Sequence, residues 1–107
     1  MSIFKQKPIQ EFINVQDSLP QYSEKLLRFT GDTIGESTLD PKTRELIIIG
    51  LLAAENFESG LKFHVKEALN CGAKKEEILG AILLTMPYCG VATFLKSYSW
   101  AKDEEII

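Results

Sequence analysis

His64 is the only histidine in the chain, and histidine is the side chain that changes charge nearest to neutral pH, which suits it to carrying a proton. Leu61, His64, Val65, Ala68 and Leu69 recur at helical spacing, so the ring lies on the apolar stripe of a helix. On that feature alone, a core histidine satisfied by its neighbours is the favoured reading. Glu45 shifts the balance, because it stands where the chain turns continuously apolar and a buried carboxylate needs a partner. If the segments carrying Glu45 and His64 form an antiparallel hairpin, a turn at Glu55 and Asn56 sets the two level. A turn centred three residues later would offset them by roughly 9 Å and break the contact within one chain. A carboxylate beside an imidazole stabilises the protonated ring and fixes its orientation, while burial opposes the charge. The chemistry on offer is proton transfer, with His64 carrying the proton and Glu45 orienting the ring.

Cys71 and Cys89 stand apart in sequence, matching neither a metal-ligand pair nor a redox CxxC, and are expected as free thiols in a reducing compartment. No metal and no cofactor are expected.

The elements that must position these groups are helices, since nearly every stretch between breaks shows a spacing near 3.6 rather than 2. The expectation is an all-α fold, one small domain over residues 1–107, with about five to six helices around a central antiparallel hairpin. A first helix is expected from Pro8 to Gln16, and a second from Leu19-Pro20 that Gly31 and Gly35 should loosen or end. Asp40-Pro41 is the clearest helix start, an N-cap followed by a proline that fits the first turn. The helix it opens should run to Ala54 and, being apolar all round, should be covered on every side. The His64 helix should close at Gly72 in the left-handed region. A further helix is expected from Lys74 to Met86, broken or kinked by Pro87. The last should run from Gly90 to Lys102 with Val91, Phe94, Leu95, Tyr98 and Ala101 inward.

Twelve basic and fifteen acidic residues give a net charge of -3. The basic ones are scattered, which argues against nucleic-acid binding. Asp103, Glu104 and Glu105 read as a solvated helix end. The start MSIFKQKPIQEF lacks the apolar run of a signal peptide, and the longest apolar stretch, Leu46 to Ala54, is about half of what spans a bilayer. A cytoplasmic protein without membrane partners is expected.

Three segments, KTRELIIIGLLAA, FHVKEALNCGAKKEEI and YCGVATFLKS, together resemble the carboxymuconolactone decarboxylase family over Leu39 to Ala101. The resemblance implies an alkylhydroperoxidase D-like helical fold and assembly as a homo-oligomer, a trimer or hexamer. The all-round apolar helix and the aromatic last helix also favour self-association. The family's peroxide-reducing branch carries a CxxC whose positions are held here by Phe57 and Gly60, neither of which can supply a thiol. Cys71 or Cys89 would have to substitute, and a structural role is the expectation for both.

The decarboxylase branch keeps acid/base residues at the positions of Glu45 and His64. It implies a lyase that removes carbon dioxide from a small carboxylated lactone, leaving a carbanion to be stabilised and reprotonated. Arg44 is a candidate for attracting a substrate carboxylate, but it points about 100° away from Glu45 around the helix, so a surface or interface ion pair is expected. Tyr88 is a candidate hydrogen-bond donor to the pocket, with core filling expected instead. Where the family usually has a Ser or Thr cap this chain has Lys74, a loss of about 1 kcal/mol, with Glu77 retained. A non-catalytic helical oligomer or small-molecule binding module is the third reading.

Overall fold

A computed structural model describes residues 4–104, and among these every regular element is a helix. Contacts divide the chain into two compact units, one ending at Leu39 and one beginning at Asp40.

The first unit is a helical pair, α1 (Gln10–Ser18) and α2 (Pro20–Glu36). α1 starts two residues after Pro8 and runs two beyond the expected end. Pro20 occupies the first turn of α2, where its missing N–H costs nothing. α2 does not end at its glycines but passes through Gly31 and Gly35. A helical glycine costs only about 1 kcal/mol relative to alanine, which weakens a helix without stopping it.

The second unit contains α3 (Pro41–Ala54), α4 (Glu58–Asn70), α5 (Lys75–Leu83), α6 (Met86–Cys89) and α7 (Val91–Asp103). Asp40 caps α3, accepting from Thr43 N at 3.2 Å and from Thr43 Oγ1 at 2.6 Å. Those bonds, the side-chain one first, hold the Asp40 carboxyl below its ordinary value. The core is built from Ile49 and Ala53 of α3, Leu61, Val65 and Ala68 of α4, Ile78 and Ile82 of α5, and Ala101 of α7. α3 packs on α4, α5 and α7, yet it is not covered on every side. Ile47 and Leu51 are 48% and 59% exposed, because those three neighbours cover only part of its circumference.

α3 and α4 form the expected hairpin. Its turn is Glu55 to Phe57, with Asn56 at φ +59, a left-handed conformation that asparagine tolerates better than most residues. α4 closes as expected at Gly72, φ +92. Gly72 N–H donates to Leu69 O and Ala73 N–H to Ala68 O, the paired bonds of a Schellman motif. At the start of α5 Lys74 offers no side-chain acceptor, but Glu77 Oε1 accepts the Lys74 N–H at 2.9 Å. Glu77 also pairs with Lys42 of α3 at 3.1 Å. These contacts, the Lys74 N–H first, hold its carboxyl below the ordinary value.

α5 ends earlier than expected, at Leu83. Pro87 sits inside the first turn of the short α6 instead of breaking a longer helix. α7 is turned relative to the expected stripe: Ser97 and Ala101 are fully buried, with Phe94 and Trp100 against the core, while Val91 and Leu95 are both 57% exposed. Ser97 can face inward because its hydroxyl donates to Thr93 O at 2.6 Å, so no polar hydrogen is stranded. Of the acidic end, Asp103 and Glu104 pair with Lys62 and Lys66 of α4 at 3.2 and 3.7 Å. Glu105 lies outside the described residues. No helix among the described residues is long and apolar enough to cross a membrane.

Candidate active site

The α3–α4 hairpin brings together two side chains nineteen positions apart. Glu45 Oε1 lies 2.6 Å from His64 Nδ1. The turn centres slightly beyond the point that would set the two level, and the reach of the glutamate side chain spans the slip. The Glu45 side chain is fully buried, whereas that of His64 is 16% exposed. The imidazole therefore touches both the interior and the surface. Phe63 presents its ring edge-on to His64, with centroids 5.1 Å apart.

The second carboxylate oxygen is also occupied. Arg44 Nε donates to Glu45 Oε2 at 2.9 Å, and the arginine side chain is 19% exposed. Arg44 is thus part of an ion pair whose carboxylate is buried within this chain. The 100° between adjacent residues describes where the side chains leave the helix, and a chain as long as arginine's can fold back across it.

Cys71 follows His64 by two helical turns and is half-buried. Burial, and after it the Glu45 carboxylate, push its thiol above the ordinary value, while Arg44 acts in the opposite direction. Its seven-residue spacing from His64 was the signal that it belongs near this cluster. Glu67, one turn beyond His64, is a buried carboxylate that sequence reasoning missed; its spacing of three from His64 was the available clue.

The other candidates lie elsewhere. Tyr88 is 90% exposed on α6 and fills no core. It sits in a four-residue helix between the turn after α5 and the Gly90 corner, with no buried position of its own. Cys89 is a free, exposed thiol. It lines an apolar groove of about 850 Å³ with Leu46, Ile47, Gly50 and Leu51 of α3 and Gly80 and Ala81 of α5. Neither Glu45 nor His64 lines that groove.

Phe57 and Gly60 exclude more than thiols. A Cβ added at Gly60 would lie 2.7 Å from Phe57 Cδ2 and 3.3 Å from Leu52 Cδ1. The aromatic ring occupies the space a side chain at position 60 would need.

A buried carboxylate that accepts from an arginine and meets a partly exposed imidazole can orient that ring and offset the charge it gains on protonation. Comparison with protein families matches the carboxymuconolactone decarboxylase family over residues 20–103, from the start of α2 to the end of α7. Comparison with curated proteins finds no match. On the extent of that match and the helical architecture that carries it, the chain belongs to the carboxymuconolactone decarboxylase family.

Proposed function

We propose that this protein is an acid/base carboxy-lyase acting on a small carboxylated lactone or a related ring compound. The observation that carries the reading is the 2.6 Å contact between the buried Glu45 carboxylate and the partly exposed His64 ring. Cleavage of the bond to the carboxylate releases carbon dioxide and leaves its electron pair on the ring carbon, delocalised into the lactone carbonyl. His64 delivers a proton to that carbon and regains one from solvent, while Glu45 holds the imidazole in place and balances its charge. Glu45 engages Nδ1, so Nε2 is the nitrogen through which the proton would pass.

The test is carbon dioxide release from a carboxylated unsaturated lactone. His64→Ala and Glu45→Gln are each expected to lose about 10²-fold or more in turnover, and unchanged turnover in both would end the reading. It would leave the helical oligomer or binding module in its place.

A peroxide-reducing role has less support. The two CxxC positions hold Phe57 and Gly60, and the Cys71 thiol is pushed away from the reactive thiolate form. We also propose a homo-oligomer in the cytoplasm. Support for assembly comes from Ile47, Leu51, Leu84 and Leu95, large apolar side chains exposed on the second unit. Sedimentation as a monomer at micromolar concentration would contradict it.

A further inference from the structure

We infer that the apolar groove between α3 and α5 is filled by α2 of a second copy of this chain. The inference rests on the homo-oligomer proposed above and adds to it the two faces that meet.

The first unit carries an apolar face that it does not cover. Leu19, Tyr22 and Leu26 stand at i, i+3 and i+7, and Phe29 follows three residues on, so the four form one stripe along α2. All four are exposed, Phe29 by 72%. The half-buried Leu27 and Ile34 lie on a different face of the helix, so packing against α1 leaves the stripe open. Ser23 is the only buried residue among those described in this unit, and the helical pair therefore has no apolar core. A unit that ends at Leu39 falls below the size of about 40 residues under which a fold usually needs outside help, association being one form of it.

The second unit carries the complementary shape. Ile47, Leu51 and Leu84 line the groove of about 850 Å³ and are themselves exposed. Gly50 and Gly80 leave room between them: a Cβ on either would meet no heavy atom within 4 Å. A concave apolar surface of this kind receives the apolar face of an amphipathic helix, whose anchors recur at the spacing that Leu19, Tyr22 and Leu26 show.

In the single chain both faces stay open, so the occupant of the groove comes from outside it, and a second copy brings the matching stripe. The area is sufficient. The chain exposes 7107 Å², whereas a compact monomer of its 12.0 kDa exposes about 6000 Å². The excess is larger than the share of about 800 Å² that each partner gives to a stable interface. Because the contact joins unlike faces, it closes as a pair of chains exchanging α2 or as a ring.

The experiment is sedimentation of the full chain and of two variants. Phe29→Glu puts a charge on the stripe and leaves the groove intact. Gly80→Leu fills the groove with a side chain whose β-carbon strikes nothing in its own chain, and leaves the stripe intact. The unsubstituted chain is expected to sediment as an assembly, and each variant alone at no more than half that mass, with helix content retained by circular dichroism. Mixing the two variants is expected to raise the mass again, because the stripe of the Gly80→Leu chain enters the groove of the Phe29→Glu chain. One such contact is weaker than a closed set, so the mixture is followed to the highest concentration at which neither variant alone associates further. A mixture whose mass does not rise overturns the inference, since an interface of groove on groove or stripe on stripe needs like faces on both chains and is not restored by mixing. A variant that assembles as fully as the unsubstituted chain also overturns it. If either variant loses helix content, Tyr22→Glu on the stripe and Leu51→Glu in the groove, both at exposed positions, make the same comparison. Failure of the homo-oligomer reading shows up separately: an unsubstituted monomer removes both, whereas an unsubstituted assembly with an unassociated mixture removes only this contact.

Discussion

The Phe57 ring lies over Gly60 so closely that a β-carbon there would stand 2.7 Å from Phe57 Cδ2. Gly60 is buried at the start of α4, and its lack of a side chain is what lets the Phe57 ring approach so closely. An exposed helical Gly→Ala change gains about 1 kcal/mol. Here overpacking reverses the sign, and Gly60→Ala is expected to cost about 1–3 kcal/mol. In a Phe57→Ala background the same substitution should cost much less, because the atom it strikes is gone. A urea double-mutant cycle measures the difference; additive effects would contradict the packing.

Glu45 contacts both Arg44 and His64, one through each carboxylate oxygen. Glu45→Ala would leave two polar groups around a buried cavity, and removing one member of such a buried set costs about 3–5 kcal/mol. Glu45→Gln keeps the volume and one acceptor oxygen, so its loss is expected to be clearly smaller. Urea denaturation of the two variants checks the order. Equal stability of both with the unsubstituted chain would mean that the cluster contributes nothing to the fold.

The hairpin was legible because its signals are local. Asp40-Pro41 marks a start, Gly72 marks a stop, and the 3.6-residue stripe of Leu61, Val65 and Ala68 marks the inward face. The Glu45–His64 contact followed from counting outward from the turn. Arg44 did not, because a long side chain that folds back leaves no trace in helical periodicity. The inward turn of Ser97 was hidden for a related reason: its hydroxyl is satisfied by its own helix backbone, so a residue that reads as polar behaves as a small core residue. Tyr88 and the uncovered side of α3 were misjudged because hydrophobicity reports that a side chain prefers burial without saying that this chain supplies the cover.

Acid should weaken two helix starts together. Thr43 holds the Asp40 carboxyl below its ordinary value, and the Lys74 N–H with Lys42 does the same for Glu77. A carboxyl lowered in the folded state contributes stability that is complete above its unfolded value, about 3.9 for Asp and 4.3 for Glu. That contribution is lost as the pH falls through the folded values. The thermal midpoint is therefore expected to fall on the acid side of this window. The fall should be smaller in Asp40→Asn, Glu77→Gln, which has neither carboxyl to protonate. An identical acid limb in the double variant would place the pH dependence elsewhere.

The two thiols should differ in reactivity, and the difference bears on the peroxide reading. The thiolate is the form that attacks a disulfide or a peroxide. Cys89 is exposed, while burial and then Glu45 push the half-buried Cys71 thiol up. Toward an aromatic disulfide reagent, Cys71 in a Cys89→Ser chain should react several-fold more slowly than Cys89 in a Cys71→Ser chain. Denaturant should bring the two rates together, since it removes burial and the Glu45 charge at once. A Cys71 that reacts faster than Cys89 in the folded protein would instead mark it as an activated nucleophile, with Arg44 outweighing burial and the Glu45 and Glu67 charges. Peroxide reduction at this cluster would then become the better account of the site. If Cys71 is slow and the Cys71→Ser, Cys89→Ser chain keeps its carbon dioxide release, sulphur chemistry has no part in the reaction, which then falls to His64 and Glu45.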